Sequence, residues 1–414
     1  MNFKSDFLNF LQERGFIHQC SSFEGLDEKL EKEKIKAYIG FDCTANSLHV
    51  GSLIQILLLR HFQRFGHTPV ALLGGGTSVV GDPSGRDESR KMLSLEDINT
   101  NMLGIRNVLE KFLSFEGSNA AQLMNNADWL CSFNYLEFLR DFGTSFTINR
   151  MLAFDSVKIR LQKENPMTFL EFNYMLLQAV DFFYLNKNHD IVLQMGGSDQ
   201  WGNIINGVEL VRRLAQKEVF ALTSPLLTKA DGSKMGKTAG GAVWLDDGLF
   251  SSWDFYQYFR NTDDADVIKF LKLFTELPMS EIETLAKLQG QEINEAKKIL
   301  AFEITKLVHG EEQAILNQNT AINTFEKGGL DENLPTFFVE EAQLNEGIPL
   351  VNFLVSVGFT TSNGEGRKLI INSGIKINDT TITDVAYLLG KKDLHDSTMK
   401  VSMGKKKHIL VKVQ

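Results

Sequence analysis

The chain has 414 residues, 43% of them hydrophobic and 23% charged, so it is long enough for two or three domains and apolar enough for a substantial core. A formal charge of −9 excludes a globally basic nucleic-acid-binding protein, so a polyanionic partner requires a local basic patch. The three cysteines lack CxxC spacing, which argues against a disulfide framework or a cysteine zinc site. Because the sequence has no signal-peptide pattern and no apolar run of membrane-spanning length, we expect a cytoplasmic protein.

The first predicted strand and helix enclose a loop of small and polar residues. Residues 35–41 predict a short buried strand, and residues 52–65 predict a helix. The loop between them carries Asp42, Thr44 and His49. Free backbone N–H groups and the helix dipole favour phosphate at such a turn. The pattern indicates a candidate nucleotide site, although many strand–helix turns share it.

A second buried strand, residues 68–74, leads directly into a glycine-rich segment at 74–85. So many glycines indicate close backbone approach or unusual dihedral angles. Arg86 and Arg90 follow, four residues apart, and are suited to bind phosphates. A flexible surface loop is the alternative, but this loop, like the first, leaves the carboxyl end of a strand, where ligands bind in open α/β sheets.

A mostly helical stretch then interrupts the alternation of strands and helices. Helical patterns cover residues 101–115, 135–142 and 148–163. We interpret about 130–165 as a helical insertion and a candidate subunit interface.

The helix predicted at about 168–185 carries an isolated polar stripe. It is apolar nearly all round, which indicates burial. Its exceptions, Tyr174, Gln178 and Asp181, fall at i, i+4 and i+7 and therefore share one face. A buried carboxylate is costly unless paired, so the stripe indicates a pocket wall. A satisfied internal hydrogen-bond network is the alternative.

Two more loops complete the candidate site. Residues 190–195 predict a third buried strand, which ends in the glycine-containing segment 196–203. Further along, Lys234 and Lys237 flank a glycine, and Thr238 follows them. Lysines in such a segment suit a mobile loop that closes over a polyphosphate, where each acts as a point charge.

The rest of the chain divides by composition. Residues 249–328 predict a helical bundle, residues 329–348 an acidic, turn-rich linker, and residues 349–414 a small separate unit. Basic residues are concentrated in this last unit: Arg367, Lys368, Lys376, Lys391, Lys392 and the run 405–408. Such a patch is expected for an RNA-backbone surface, although solvated faces also carry charge runs.

These motifs occur in the order of a known family. His49-Val-Gly-Ser52 resembles the HIGH signature of class I aminoacyl-tRNA synthetases, and Lys234-Met-Gly-Lys-Thr238 resembles their KMSKS signature. The surrounding motifs resemble those of the bacterial-type tyrosyl enzymes at 38–45, 81–85, 174–181 and 196–203. The C-terminal unit is similar to a small RNA-binding domain shared with a ribosomal small-subunit protein.

The resemblance implies an α/β fold with several domains. They are a Rossmann-like parallel-sheet catalytic domain at 1–225, with its helical insertion at about 130–165, a KMSKS-type loop and linker at 226–248, a helical anticodon-binding domain at 249–328, a linker at 329–348, and a small α+β RNA-binding domain at 349–414.

The implied function is tyrosine–tRNA ligation. Tyrosine and ATP give tyrosyl-adenylate and pyrophosphate, and the tyrosyl group then passes to the 3′-terminal ribose of tRNA. The resemblance further implies ATP as a substrate with Mg²⁺, no prosthetic group, no dedicated protein metal site, a homodimer, and neither a membrane nor a DNA partner.

Roles for individual residues follow from the same resemblance. The tyrosine hydroxyl is expected to meet Tyr38 and Asp181. The residues expected to bind tyrosine are Tyr38, Thr77, Asp82, Tyr174, Gln178, Asp181 and Gln200. Those expected to bind ATP are Gly40, Asp42, His49, Gly51, Ser52, Gly197, Asp199 and Lys237. Those expected to act on the phosphates are Thr44, His49, Arg86, Arg90, Lys234, Lys237 and Thr238.

The sequence departs from both signatures. Ser52 stands where HIGH has its second histidine, which implies a shorter or water-mediated contact with ATP. Gly236 and Thr238 replace the two serines of KMSKS. Because His49 and both signature lysines are present, activity is expected to survive.

Three alternatives remain open on the sequence. Tryptophanyl-tRNA synthetases share the architecture, but Tyr38 with Asp181 favours a phenol over an indole. A non-catalytic RNA-binding protein on a synthetase fold is disfavoured by His49, Lys234 and Lys237. A nucleotidyltransferase with an HxGH-like loop would leave the helical domain and the C-terminal unit unexplained.

Overall fold

A computed structural model describes residues 2–84, 93–230, 232–233, 235–238, 241–326, 334–395, 397–404 and 407–414. The chain divides into two compact units, Met1–Ser251 with Tyr258–Val308, and Ser252–Gln257 with His309–Gln414. Residues 258–308 of the predicted helical domain belong to the first of these units, and residues 309–328 belong to the second. No helix among the described residues is long and apolar enough to cross a bilayer.

The helices and strands are numbered in chain order. The helices are α1 (Asp6–Arg14), α2 (Phe23–Lys32), α3 (Val50–Arg64), α4 (Leu95–Leu109), α5 (Ala127–Leu130), α6 (Tyr135–Asp141), α7 (Ile148–Leu152), α8 (Asp155–Gln162), α9 (Phe169–His189), α10 (Trp201–Leu214), α11 (Ser252–Arg260), α12 (Val267–Phe274), α13 (Met279–Leu285), α14 (Ile293–His309), α15 (Glu311–Ala321), α16 (Glu341–Glu346), α17 (Leu350–Ser356) and α18 (Asn363–Ile371). The strands are β1 (Gln19–Cys20), β2 (Lys36–Phe41), β3 (Thr68–Leu73), β4 (Gln122–Asn125), β5 (Ile191–Gly197), β6 (Phe220–Ser224), β7 (Lys237–Thr238), β8 (Gly241–Ala242), β9 (Thr336–Val339), β10 (Ile348–Pro349), β11 (Ile375–Ile377), β12 (Thr380–Ile382), β13 (Leu388–Leu389), β14 (Thr398–Met403) and β15 (Lys407–Val413).

The first unit is built on a six-stranded sheet in the order β1-β6-β5-β2-β3-β4. All neighbouring pairs in it are parallel except β1 with β6. Consecutive residues of β2, from Ala37 to Ile39, are buried because both faces of a parallel sheet are covered. The chain winds from β2 outward through β3 to β4, and from β5 outward to β6. The strand order thus reverses between β2 and β5, and ligands bind at the carboxyl ends of strands at such a point. The predicted Rossmann-like sheet is confirmed.

Local signals explain why the helices flanking this crevice begin where they do. Helix α9 has a capping box in which the Thr168 hydroxyl accepts from the Glu171 N–H and the Glu171 carboxylate accepts from the Thr168 N–H. Helix α4 begins at Leu95, six residues before the prediction, because Ser94 and Asp97 form a second capping box.

Two features of the predicted insertion differ from expectation. The helix predicted at 148–163 is broken into α7 and α8, because Phe154 has an extended backbone and its ring lies against Gly202, where an added Cβ would be 2.9 Å away. The short strand β4 was not predicted. All four of its residues are half-buried, so they lack the alternation that marks a strand.

The second unit has its own core and sheet. Five strands in the order β12-β11-β14-β15-β9 pack with α17 and α18 around buried Leu350, Phe353 and Val401. Strand β9 pairs in parallel with β15. It lies inside the predicted 329–348 linker, so that segment has regular structure that composition did not reveal.

Candidate active site

A cavity of 760 Å³ lies in the first unit, at the carboxyl ends of the central strands. It brings together predicted residues from four separate parts of the sequence, 38–52, 77–82, 174–181 and 197–200. The predicted residues that line it are Tyr38, Gly40, Asp42, Thr44, His49, Gly51, Ser52, Thr77, Asp82, Tyr174, Gln178, Asp181, Gly197, Asp199 and Gln200.

The turn between β2 and α3 presents His49 at the start of the helix. The residue is the N-cap of α3, and its Nδ1 accepts a hydrogen bond of 2.9 Å from the Gly51 N–H. Because Nδ1 acts as an acceptor, the neutral ring carries its proton on Nε2. The imidazole is thereby fixed in the tautomer that offers one N–H donor on its other side. Thr44, in the same loop, is exposed.

Tyr38, in the middle of β2, has an unusual environment. Its side chain is 1% exposed, and its hydroxyl has no hydrogen-bond partner among the described residues. Burial raises the pKa of this phenol well above its ordinary value, and the charge of Asp181 adds to the effect. The hydroxyl is therefore neutral, desolvated and available to a ligand that can hydrogen-bond to it.

The carboxylate of Asp181, on α9, is held by two buried donors. Trp129 Nε1 donates to Oδ1 at 2.7 Å, and Asn126 Nδ2 donates to Oδ2 at 2.9 Å. Burial raises the pKa of Asp181 to about 7, and both hydrogen bonds oppose that rise. Asp181 can still accept a further hydrogen bond, because each carboxylate oxygen has two lone pairs.

A second cluster of polar side chains lies around Asp82. Its Oδ2 accepts from Gln200 Nε2 at 2.8 Å, and its Oδ1 accepts from the Ser84 N–H at 2.9 Å. Nearby, the Tyr174 hydroxyl donates to Asp42 Oδ1 at 3.0 Å. Burial, followed by the charges of Asp42 and Asp82, raises the pKa of Tyr174 well above its ordinary value. This part of the cavity concentrates negative charge and suits an ammonium group.

The end of β5 forms the opposite wall. An added Cβ at Gly197 would lie 2.6 Å from Asp199 Oδ1, so a side chain there would displace the Asp199 carboxylate. Asp199 itself is exposed at the cavity rim. An exposed acceptor at the end of a central strand is suited to a ribose hydroxyl.

Part of the predicted phosphate-binding set cannot be placed. Arg86, Arg90 and Lys234 lie outside the described residues. Lys237 and Thr238 are described through their backbone, which forms β7 and pairs with β8.

Two residues that line the cavity, Asn126 and Gln194, and the buried Trp129 behind it were not predicted from the sequence. Asn126 and Trp129 follow β4, so missing that strand also hid the two donors to Asp181. Gln194 lines the cavity with its Oε1 buried and unpartnered within the described part of the chain. It is the one polar residue in the apolar run 191–195, a signal that could have identified it.

Comparison with known proteins identifies the class. Residues 30–326 match the family model of class I tRNA synthetases (W and Y), and the chain belongs to this family. Residues 327–411 match the tyrosine–tRNA ligase SYY-like C-terminal domain. The tyrosine–tRNA ligase of Rhodospirillum rubrum is 54% identical over 411 residues, covering 99% of this chain and 98% of its own length. That of Wolbachia pipientis subsp. Culex pipiens is 53% identical over 416 residues, covering 100% and 99%.

A solved structure agrees with these relatives. The C-terminally truncated mitochondrial tyrosyl-tRNA synthetase of Aspergillus nidulans is 32% identical, with a TM-score of 0.69, over 78% of this chain and 94% of that one. Within its class, the chain is a member of the tyrosine–tRNA ligases, the enzymes that join tyrosine to tRNA with ATP as a substrate. The predicted family and activity are confirmed, and the tryptophanyl alternative is not supported.

Proposed function

We propose that the 760 Å³ cavity binds tyrosine beside ATP, forms tyrosyl-adenylate there, and delivers the tyrosyl group to the 3′-terminal ribose of tRNA. The single observation that carries this assignment is the buried hydroxyl of Tyr38, which has no hydrogen-bond partner among the described residues and lies near the buried carboxylate of Asp181. An unsatisfied hydroxyl is costly, which supports a ligand that completes its hydrogen bonds.

The hydroxyl of the substrate tyrosine would provide a further hydrogen-bond partner for both Tyr38 and Asp181. In the proposed complex, the phenol of tyrosine donates to Asp181 and accepts from Tyr38. Phenylalanine would leave the Tyr38 hydroxyl desolvated without a partner, and Asp181 would keep only its hydrogen bonds from Trp129 and Asn126. Enzymes of this family are the established example of such discrimination, at roughly 10⁵-fold and without editing.

The α-amino group is assigned to the acidic part of the cavity. Asp82, Tyr174 and Gln178 would hold the ammonium, with Thr77 nearby, and Gln200 would lie near the reacting carboxylate. The hydrogen bond from Gln200 to Asp82 supports this arrangement, because it places the residue assigned to the carboxylate next to a residue assigned to the ammonium.

ATP is assigned to the wall formed by the β2–α3 turn and the end of β5. Thr44 and His49 would contact the phosphates, with His49 donating from Nε2. Gly51 would let the adenosine pack closely, and Asp199 would hold the ribose. The remaining residues assigned to this wall are Gly40, Asp42, Ser52 and Gly197.

The activation step needs no strong general base. The tyrosine carboxylate is already a nucleophile: its oxygen forms a bond to the α-phosphorus while the bond from that phosphorus to the bridging β-phosphate oxygen breaks. Pyrophosphate leaves with the electron pair. Placing the two reactants and stabilising the charge that develops on the phosphates would provide most of the rate enhancement.

Positively charged side chains and Mg²⁺ are proposed to stabilise the negative charge of the ATP phosphates. Lys234, Lys237 and Thr238, together with Arg86 and Arg90, are proposed to surround the departing pyrophosphate. Within the described residues, no group of three or more His, Cys, Asp or Glu is arranged to hold a metal ion. Mg²⁺ is proposed to arrive bound to the ATP phosphates, as it commonly does, and would neutralise part of their charge.

Tyrosine-dependent exchange of pyrophosphate into ATP tests the proposed function. We expect exchange with tyrosine, and none above background with tryptophan or phenylalanine at the same concentration. Exchange with tryptophan alone, or with no amino acid, would contradict the assignment of the cavity.

We further propose a cytoplasmic homodimer. The insertion exposes several large apolar side chains, with Tyr135 62%, Leu136 73% and Ile148 61% exposed, and burial in a subunit interface would remove them from water. Leu136→Asp should convert a dimer to a monomer in light scattering, whereas Leu103→Asp, at a similarly exposed position on α4, should not. A monomeric wild-type chain would contradict the proposal.

A further inference from the structure

Gly236 occupies a position where the two signature segments touch backbone to backbone. An added Cβ at this residue would lie 2.8 Å from the Gly51 N and 3.2 Å from His49 Nδ1. Those two atoms are the donor and acceptor of the hydrogen bond that orients the His49 ring. A side chain at 236 would therefore intrude on that bond itself.

The contact has little freedom to relax. Gly236 has φ of +91°, a conformation that side-chain-bearing residues rarely adopt. From the other side, an added Cβ on Gly51 would lie 3.3 Å from the Met235 carbonyl oxygen. Met235 is buried at 4% exposure, so its backbone cannot simply move outward.

Backbone hydrogen bonds fix the same segment to the His49 turn. The Val50 N–H donates to the Val243 carbonyl at 2.9 Å, and the Leu245 N–H donates to the Leu48 carbonyl at 2.9 Å. The Val243 N–H in turn donates to the Gly236 carbonyl at 3.0 Å. Position 236 thus belongs to a short chain of backbone contacts that holds the two segments together.

From these contacts we infer that Gly236 is a positioning residue for the activation step. Its missing side chain lets segment 235–238, which includes Lys237, approach the triphosphate while the His49 ring keeps its donor orientation. The glycine that departs from the KMSKS pattern is then a requirement of this geometry. The inference rests on the proposed function, because it assumes that the triphosphate binds at His49.

Gly232 provides a matched control. It lies in the same segment and also has a positive φ, +79°, but an added Cβ there meets nothing within 4 Å. Gly232→Ala and Gly236→Ala therefore share the backbone cost of a left-handed alanine, and only the second adds the collision with the His49 turn.

The kinetic test compares the two variants in tyrosine-dependent ATP–pyrophosphate exchange. Because a misplacement of about 1 Å at a reacting centre costs about 100-fold, we expect Gly236→Ala to lower kcat by about 10- to 100-fold. The KM for tyrosine should stay within about twofold, since the tyrosine contacts are elsewhere, and Gly232→Ala should stay within about threefold of wild type in kcat. Equal activity of the two variants would overturn the inference, as would a tyrosine KM that rises in parallel with the loss of kcat.

Two NMR measurements make the test independent of kinetics. In ¹⁵N-histidine-labelled protein, the His49 Nδ1 signal of a hydrogen-bonded, unprotonated nitrogen should persist in Gly232→Ala and change in Gly236→Ala. In glycine-labelled wild type, the Gly51 amide proton should show an Overhauser effect to a Gly236 Hα, and its absence would overturn the contact even if Gly236→Ala does not fold. No exchange by the wild type would instead reject the proposed function.

Discussion

Replacing Tyr38 with phenylalanine should have opposite effects on the free protein and on its complex with tyrosine. In the free protein the Tyr38 hydroxyl is buried without a partner in the described structure, so removing it relieves a desolvation penalty of about 1–3 kcal/mol. We expect the free energy of unfolding to rise by about 1 kcal/mol and the Tm by about 2 °C. In the proposed complex the same hydroxyl would make a hydrogen bond to the substrate, so its loss should weaken tyrosine binding by about 0.5–1.5 kcal/mol, roughly 2- to 12-fold.

Calorimetry of the free protein and the tyrosine KM in pyrophosphate exchange measure the two effects separately. Tyr387→Phe is a suitable control, because the Tyr387 hydroxyl already donates to Asp393. It should lower stability and leave the tyrosine KM unchanged. If Tyr38→Phe also lowered stability and left the KM unchanged, the hydroxyl would be a satisfied structural group and the reasoning would be refuted.

The remaining predictions concern Asp181 and the C-terminal unit. Asp181→Ala should raise the tyrosine KM and reduce discrimination against phenylalanine in exchange assays; unchanged discrimination would reject Asp181 as the hydroxyl acceptor. Because burial raises the pKa of Asp181 from 3.8 to about 7, the stability it contributes is present below pH 3.8 and lost as the pH rises through 7. Chemical denaturation should therefore show wild type losing more stability than Asp181→Asn between about pH 4 and 7, and parallel curves would contradict the shift. Deleting 327–414 should preserve exchange but impair tRNA charging. The cut must precede Thr336, since β9 pairs with β15, and loss of exchange would mean that residues 327–414 support the cavity.

The sequence correctly predicted those elements whose hydrophobic periodicity matches the faces that are buried in the structure. Strand β2 and helix α3 have strong local signals, as does α9, whose polar stripe at Tyr174 and Asp181 does line the cavity. In each case the periodicity of the segment itself reports which faces are buried.

What the sequence could not reveal depends on long-range pairing. Strand β4 is short and half-buried, and only its pairing with β3 makes it a strand. The two donors that follow it, Asn126 and Trp129, meet Asp181 across more than fifty residues of chain. Similarly, a side chain at position 236 would collide with the Gly51 backbone nitrogen. These residues are far apart in the chain, so no local sequence pattern could predict the collision.

A crystal structure of the protein with tyrosine and a non-hydrolysable ATP analogue tests the central claim most directly. We expect the tyrosine hydroxyl within hydrogen-bond distance of Tyr38 Oη and the Asp181 carboxylate, and the tyrosine carboxylate facing the α-phosphate beside His49. Tyrosine bound with its ammonium at Asp181, or outside the cavity, would contradict the account.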